Sequence, residues 1–256
     1  GEAVKKMDEI LNVTDAIMVA RGDLGVQVNI EDIPVIQKRL IAKANRMSKP
    51  VITATQMLVS MTDHIRPTRS EVTDVANAIL DGTDATMLSE ETAVGQFPVE
   101  AVRMMTDIAI STELEYRTLP HHSSLCEELR FSFQQTKPSI EDIISMHTME
   151  SSQVIHAKYI LTPTESGNTA RRISRFKPYC WILAFTPSPE VARFLSLSYG
   201  VFPFIINRKK IDWYRRIMDL LEEKKLVEKG EHLILTEGAI RNKTGGTDSM
   251  RIIVVD

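Results

Sequence analysis

Three groups of polar residues in the first half of the chain combine hydroxyl, carboxylate and guanidinium side chains with glycine. A glycine that follows a strand lets the backbone turn tightly and direct N–H groups at an anion. A carboxylate beside it could hold Mg²⁺, which binds one or two carboxylates together with substrate oxygens, and a hydroxyl can hold a carboxylate or relay a proton. The groups are Arg21-Gly22-Asp23, the set Thr53, Thr55 and Gln56, and Ser89-Glu90-Glu91.

Each of these groups also has an ordinary structural interpretation. Arg21-Gly22-Asp23 could be a polar turn with a surface Arg–Asp pair. Thr53 and Thr55 could be present because β-branched residues favour strands. The acidic residues after Ser89 could mark a helix start, where they complement the helix dipole. Residue type alone leaves both interpretations open, so the elements that carry the groups have to be considered.

Strands and helices alternate along residues 1–115. Short apolar runs at 16–20, 50–56 and 85–88 predict strands covered on both faces, as in parallel sheets. Helices are predicted to begin at Asp32-Ile33-Pro34, at the capping box Thr68–Glu71 and at Pro98. Each polar group follows the C-terminal end of a strand, where parallel α/β sheets and barrels carry their sites. The last helix is predicted to turn an apolar stripe inward, namely Val99, Val102, Met105 and Ala109.

The second half of the chain reads as a separate α/β domain over 139–256. Residues 116–138 have weak periodicity and are predicted to connect it to the domain over 1–115. Ser139 is predicted to cap a helix. Further strands are expected near 159–162, 181–185, 201–206, 232–236 and 251–255, with helices near 168–176, 189–198 and 211–226.

The segment from Thr164 to Thr169 follows a predicted strand and opens a helix in this second domain. Its hydroxyls, glycine and helix N–H groups could form an anion cradle, or the segment could be an ordinary strand-to-helix turn. The basic loop Arg241–Thr247 could close over the same anion or simply connect two strands. The candidate binding residues are Thr164, Ser166, Gly167, Asn168 and Thr169.

Composition excludes several classes of protein. The net charge is −3, without the basic excess typical of nucleic-acid-binding domains. No apolar run approaches the ~20 residues of a membrane helix, so a membrane partner is not expected. Two cysteines without metal-ligand spacing disfavour a disulfide scaffold or a structural zinc site and are compatible with a reducing cytoplasm.

These segments resemble the pyruvate kinase family over nearly the whole chain. Asp15–Gly25 is similar to the family's sixth barrel strand and its loop, Lys49–Leu58 to the seventh, and Arg66–Ala85 leads into the eighth. Residues 165–178, with Glu165-Ser166-Gly167 and Arg175-Phe176-Lys177-Pro178, resemble its C-terminal effector domain. The resemblance implies an α/β fold: the last three strands of a (β/α)8 barrel, followed by a smaller α/β effector and assembly domain with a mixed, mainly parallel sheet.

The resemblance also implies a reaction, in which phosphoenolpyruvate and ADP give pyruvate and ATP. It implies that the N–H groups of Gly22 and Asp23 bind the substrate carboxylate, that Arg21 orients this loop, and that the Asp23 side chain ligates Mg²⁺ or Mn²⁺. Thr55 would hold the carboxylate and lie near the enolate carbon. Ser89 would belong to the proton-delivery network. A sugar monophosphate or AMP is the expected effector, and a homotetramer is the expected assembly.

Departures from the family pattern limit these expectations. In the family, several features lie N-terminal to the part that residues 1–256 resemble. They are the other barrel strands, the metal-binding glutamate, the catalytic lysine, the lid domain and the K⁺ ligands. We therefore expect the C-terminal half of a pyruvate kinase, inactive alone; the alternative is a natural truncated relative that binds phosphometabolites or assists assembly without turnover. Glu90, where the family usually has glycine, puts nucleotide contacts in doubt. Glu165, where some members have lysine, predicts weak or no binding of fructose bisphosphate.

Overall fold

The chain folds into two compact units, Gly1–Glu127 and Glu128–Asp256. The computed structural model describes residues 1–116, 127, 130–131, 133, 137–206, 213–238 and 246–256. Most of the predicted connection over 116–138 lies outside these residues, as does the greater part of the basic loop Arg241–Thr247.

A three-stranded parallel sheet forms the centre of the first unit. Its strands are β1 (Ile17–Ala20), β2 (Val51–Ala54) and β3 (Ala85–Met87), arranged in the order β1-β2-β3. Thr53 of β2 is in register with Val19 of β1 and with Thr86 of β3. The order and direction confirm the predicted parallel sheet and are consistent with part of a barrel, whose strands are parallel and sequential. All three strands therefore end at the same edge.

Helices precede and connect these strands, and three of them begin at signals that the sequence predicts: the helices that start at Ile33, Arg69 and Pro98. Thr68 and Glu71 form the predicted capping box, each side chain bonding to the other residue's backbone N–H. Asp32 occupies the cap position of the preceding helix, but its carboxylate accepts from Asn29 instead, because its own backbone is already helical (φ −85°, ψ −19°). The helices are α1 (Glu2–Lys5), α2 (Met7–Val13), α3 (Arg21–Gln27), α4 (Ile33–Arg46), α5 (Arg69–Leu80), α6 (Glu90–Ala93) and α7 (Pro98–Tyr116).

The predicted inner face of α7 is partly wrong. Met105 is buried as predicted, but Val99 and Val102 are 62% and 51% exposed, and Ala101 and Ile108 are buried instead. Apolar residues surround much of this helix, so their spacing does not select one face. The small side chain of Ala101 is the one that packs closely against the core formed by residues of α5 and the segment after β2.

The second unit contains a mixed five-stranded sheet in the order β6-β5-β4-β7-β8. Four strands are parallel, and β8 runs antiparallel to β7, which confirms the predicted mixed, mainly parallel sheet. The strands are β4 (Tyr159–Pro163), β5 (Trp181–Thr186), β6 (Val201–Ile205), β7 (His232–Glu237) and β8 (Ser249–Val254). The helices are α8 (Ile140–Val154), α9 (Asn168–Ser174), α10 (Pro189–Leu195) and α11 (Trp213–Glu223).

Alternate residues of the second sheet bury two different faces, as the period of a strand requires. Leu161, Leu183 and Leu235 face one cluster, which α11 covers with Ile217 and Leu221. Their neighbours Ile160, Ile182 and Ile234 face the other cluster, with side chains of α9 and α10. The sheet therefore has helices on both faces. Within the described residues, no helix has the length and apolar character needed to cross a membrane.

Candidate active site

The tip of β2 carries a strained turn. Thr55 and Gln56, the two residues after the strand, both have left-handed backbone angles, with φ values of 68° and 54°. Such angles are uncommon for residues other than glycine and cost of order 1 kcal/mol or more each. The turn therefore needs other contacts that hold it in place.

Arg21, the first residue after β1, supplies these contacts. Its guanidinium is buried, and Nη2 donates to the carbonyl oxygens of Thr55 at 2.6 Å and Gln56 at 3.0 Å. Nη1 forms an ion pair with the carboxylate of Asp74 on α5. The alternative of a surface Arg–Asp pair within Arg21-Gly22-Asp23 is thus wrong, because Arg21 is buried and its partner is 53 residues away.

Gly22 and Thr55, both assigned by the resemblance to the substrate carboxylate, are hydrogen-bonded to each other. The Gly22 N–H donates to Thr55 Oγ1 at 2.9 Å, and this hydroxyl donates to the Ala54 carbonyl oxygen at 2.6 Å. An incoming carboxylate would have to replace or share these bonds. The tight glycine turn predicted here is absent from the described structure, since β1 continues directly into α3. A Cβ at Gly22 would meet its nearest described neighbour at 3.7 Å, an ordinary contact.

Asp23 lies in the first turn of α3 with an exposed side chain, where a carboxylate complements the helix dipole. Its carboxylate oxygens are of the type that Mg²⁺ or Mn²⁺ binds. In the described ranges, no three His, Cys, Asp or Glu side chains group closely enough to hold a metal ion. Asp23 is therefore an exposed carboxylate at the start of α3, and a metal site there would need ligands besides this side chain.

Ser89 follows β3 and is connected to the β2 tip through Glu91, the third residue of the predicted group Ser89-Glu90-Glu91. The Ser89 N–H donates to Glu91 Oε2 at 2.7 Å, and the Leu58 N–H donates to Glu91 Oε1 at 3.0 Å. Glu91 is 1% exposed, whereas the adjacent Glu90 is exposed. The two glutamates are chemically alike, so residue type does not show which one is buried; the family resemblance distinguishes only Glu90, as a departure from the usual glycine.

A second carboxylate, Glu71, orders the loop between β2 and α5. It accepts hydrogen bonds from the backbone N–H groups of Ser60 and Thr68, both at 2.7 Å, and from both hydroxyls. Burial acts to raise the pKa of Glu71, but the hydrogen bonds from Ser60 and Thr68 outweigh burial and hold the pKa below its usual value. The loop that follows the strained turn is therefore held at both ends.

The structure brings the predicted residues together to different degrees. Arg21, Gly22 and Thr55 are in direct contact, while Ser89 is connected to the same loop through Glu91 and Leu58. The Gln56 side chain is exposed, so its carbonyl makes the contact with Arg21. Thr53 is buried and its hydroxyl bonds to that of Thr83 at 3.1 Å, which favours the strand interpretation for this residue.

The segment Thr164–Thr169 of the second unit forms a compact turn before α9. The Gly167 N–H donates to Thr164 Oγ1 at 2.8 Å, and Gly167 has φ +82°. A Cβ at this glycine would lie 3.0 Å from Leu195, so both backbone angle and space require glycine. The hydroxyls of Thr169 and Thr247 are 2.6 Å apart. The basic residues Arg241 and Lys243 lie outside the described residues.

Comparisons with known proteins match both units to one family. The family model "Pyruvate kinase, barrel domain" matches residues 1–102, and "Pyruvate kinase, alpha/beta domain" matches residues 142–253. A pyruvate kinase of Thermococcus litoralis is 50% identical over 254 residues, which cover 99% of this chain and 52% of that protein. Pyruvate kinase 2 of Synechocystis is 43% identical, with 99% of this chain and 42% of that protein covered.

A solved structure agrees with these matches. The crystal structure of a pyruvate kinase from Cryptosporidium parvum superposes with a TM-score of 0.87 at 39% identity, covering 100% of this chain and 50% of that one. The chain thus spans about half the length of the relatives it matches. Two domain types of a single family follow each other here in one chain, and the similarity extends over both. The chain therefore belongs to the pyruvate kinase family.

Proposed function

We propose that the chain supplies the strand-tip part of a pyruvate kinase active site, which transfers the phosphoryl group of phosphoenolpyruvate to ADP and yields pyruvate and ATP in glycolysis. The observation that carries this proposal is the 2.9 Å hydrogen bond between Gly22 N–H and Thr55 Oγ1. Two groups 33 residues apart in the sequence, each suited to a carboxylate, are thus in direct contact. Family membership supports the same assignment.

The substrate carboxylate would accept hydrogen bonds from Gly22 N–H and from the Thr55 hydroxyl, once that hydroxyl turns away from the Ala54 carbonyl. Arg21 would stay beneath the turn and hold the Thr55 backbone. Phosphoryl transfer depends mainly on such positioning and on charge neutralisation. Asp23 would contribute one ligand to Mg²⁺ or Mn²⁺, which neutralises phosphate charge when bound. K⁺ ligands, by the resemblance, are supplied by residues outside this sequence.

The enolate that remains after phosphoryl transfer needs a proton at its terminal carbon. A hydroxyl with ordered water can deliver one, and Ser89 is the proposed member of that network from this chain. Thr55 would stand on the same side, near the carbon that receives the proton. The roles of binding and proton delivery would thus fall on residues after β2 and β3, while the catalytic lysine and metal-binding glutamate come from residues outside 1–256.

Joining the chain to the missing part of a relative tests this proposal. In a chimera, the part of the Thermococcus litoralis enzyme that residues 1–256 do not match would be fused to this chain. We expect pyruvate formation from the chimera in a coupled assay, and none from residues 1–256 alone. Thr55→Val should abolish most turnover of the chimera. A folded chimera without turnover would refute the proposal.

A second proposed role, effector binding, rests on the turn at Thr164–Thr169. The Gly167 N–H is already hydrogen-bonded to Thr164. The Thr169 hydroxyl is hydrogen-bonded to that of Thr247, so two segments of the chain meet at this point. The proposed ligand is a sugar monophosphate or AMP, and the exposed carboxylate of Glu165 opposes a second phosphate. Calorimetric titration should show monophosphate binding and weak or no fructose bisphosphate binding. Sub-micromolar affinity for the bisphosphate would contradict this role for Glu165.

The proposed assembly of the complete enzyme is a homotetramer.

A further inference from the structure

Glu91 is a buried carboxylate whose two oxygens bind N–H groups after two different strands. Oε2 accepts from Ser89, which follows β3, and Oε1 accepts from Leu58, which follows the strained turn at the end of β2. Burial of a carboxylate is costly unless its oxygens are satisfied. Both oxygens accept a hydrogen bond here. The side chain therefore joins the ends of β2 and β3 in the protein interior, where water competes little for these bonds.

Both partners of Glu91 need such a contact. Leu58 is fully buried and lies three residues after Thr55, so it is a fixed point close to the turn. Ser89 has an unusual backbone conformation, with φ −117° and ψ −99°, outside the broad helical and extended regions. Residues in such regions persist when their surroundings hold them. The bond from Ser89 N–H to Glu91 is a contact of this kind.

The two loops are joined at a second point, on the other side of α6. The Gln96 N–H donates to the Thr62 carbonyl oxygen at 2.8 Å. Between the two contacts, Gly95 passes so close to α6 that a Cβ there would lie 2.4 Å from the Glu91 carbonyl oxygen. The loop after β3 is therefore hydrogen-bonded to the loop after β2 near both of its ends. Glu91 accepts the hydrogen bonds at the end nearer Ser89.

We propose that Glu91 is a positioning residue of the strand-tip site, which holds Ser89 in register with the Thr55 turn. This inference rests on the proposed function, since it concerns the same site. Glu91 acts through the main chain of Ser89 and does not touch substrate. Its loss should therefore impair proton delivery, assigned to Ser89, more than substrate binding, assigned to Gly22 and Thr55.

Glu91→Gln is the informative variant, because it keeps the side-chain shape but leaves one acceptor oxygen. Its amide group would place a donor against one of the two backbone N–H groups. Asp84→Asn is the matched control. Asp84 Oδ2 accepts the Val51 N–H at 2.9 Å, which is the same kind of bond at the opposite, N-terminal end of the sheet. A general effect of losing one carboxylate–amide bond should appear in both variants.

Two measurements test the inference. In the 256-residue chain, backbone hydrogen exchange followed by NMR should become about tenfold faster at Ser89 and Leu58 in Glu91→Gln, but not in Asp84→Asn. In the chimera described above, Glu91→Gln should lower kcat about tenfold or more with KM for phosphoenolpyruvate nearly unchanged. Exchange of pyruvate methyl hydrogens with D₂O, the reverse of proton delivery, should decrease in parallel.

The outcomes separate this inference from the proposed function. Unchanged hydrogen exchange at Ser89 in Glu91→Gln would overturn the positioning role. Equal losses of kcat in Glu91→Gln and Asp84→Asn would also overturn it, since they would reflect stability alone. A wild-type chimera without turnover would instead overturn the proposed function, and the hydrogen-exchange result would still decide whether Glu91 positions Ser89.

Discussion

The guanidinium of Arg21 donates a hydrogen bond to the main-chain carbonyl oxygen of Thr55, with 2.6 Å between Nη2 and the oxygen. This bond crosses from the end of β1 to the end of β2. It holds a residue whose backbone is left-handed, with φ 68°. The side chain that looks most suited to binding a phosphate therefore has a different role in this structure: it fixes the backbone on which the site is built.

Replacement of Arg21 should weaken the first unit. Arg21→Lys keeps the charge, but one ammonium group cannot reach Asp74 and both carbonyl oxygens, so we expect a loss of about 2–4 kcal/mol. Both tryptophans, Trp181 and Trp213, belong to the second unit. The urea midpoint followed by far-UV circular dichroism should therefore decrease, while the midpoint followed by tryptophan fluorescence should stay the same. The exposed Arg39→Lys serves as the control, and equal midpoints for both variants would contradict this prediction.

Removal of strain at the β2 tip should stabilise the same unit. Gln56→Gly relieves a left-handed angle of 54° at a residue whose side chain is exposed, so little contact is lost. We expect a gain of up to about 1 kcal/mol, partly offset by the greater entropy of glycine in the unfolded chain. Circular dichroism during urea unfolding measures it. A marked loss of stability would mean that the Gln56 side chain makes an important contact.

Asp142 should make the stability of the second unit depend on acid. Burial acts to raise its pKa, but the Ser139 hydroxyl and the charges of Arg175 and Arg172 outweigh burial and lower the pKa. A carboxyl with a lowered folded-state pKa stabilises fully above its unfolded-state pKa, about 4, and loses that contribution as pH falls through the folded-state value. Stability should accordingly decrease as the pH falls below about 4.

Asp142→Asn tests this origin of the acid dependence. At pH 7 we expect a loss of about 2–3 kcal/mol, because two arginines lose their partly buried partner. Between pH 5 and pH 3, the free energy of unfolding should fall less in the variant than in the wild type. Tryptophan fluorescence during urea unfolding is the measurement. Glu231→Gln, which breaks an exposed pair with Lys158, should change little. Identical pH profiles for wild type and Asp142→Asn would exclude this assignment.

Two glycines of the second unit allow the cost of a positive φ to be measured separately from the cost of crowding around an added Cβ. Gly167 and Gly230 have similar φ values of +82° and +88°, but an added Cβ lies 3.0 Å from Leu195 at Gly167 and meets no described atom within 4 Å at Gly230. Gly230→Ala should therefore cost only the backbone strain, about 1 kcal/mol, and Gly167→Ala at least about 1 kcal/mol more. Equal costs in fluorescence-monitored unfolding would show that Leu195 moves aside.

Magnesium binding by this chain should be weak. Asp23 supplies one exposed carboxylate, and a single carboxylate needs substrate oxygens or further ligands to hold Mg²⁺. Calorimetric titration of residues 1–256 should show no binding tighter than about 1 mM. The control is Asp23→Ala, which should be indistinguishable from wild type under these conditions. Millimolar or tighter binding that disappears in Asp23→Ala would show that the chain forms a more complete metal site than we infer.

Local signals explain why the elements were predictable. The predicted capping box Thr68/Glu71 and the predicted helix cap at Ser139 depend on residues within one turn, and the structure confirms both; Ser139 forms a capping box with Asp142. The short apolar runs predict strands, and β1, β2 and β3 confirm this. The expected cover on both faces is wrong for β1, because Met18 is 53% exposed. The inner face of α7 was partly wrong because its apolar residues are spread around the helix, so only packing selects the buried ones.

By itself the sequence determined the order of elements, the residue types at each strand end and the resemblance to one family, because these depend on neighbours along the chain. The tertiary structure alone decided that Arg21 is buried beneath Thr55, that Gly22 bonds to the Thr55 hydroxyl, and that Glu91, not Glu90, enters the interior. The physical reason is that these contacts join residues 33 or 34 positions apart. Such contacts depend on how strands and helices pack, and two identical side chains in adjacent positions differ only in the direction the backbone gives them.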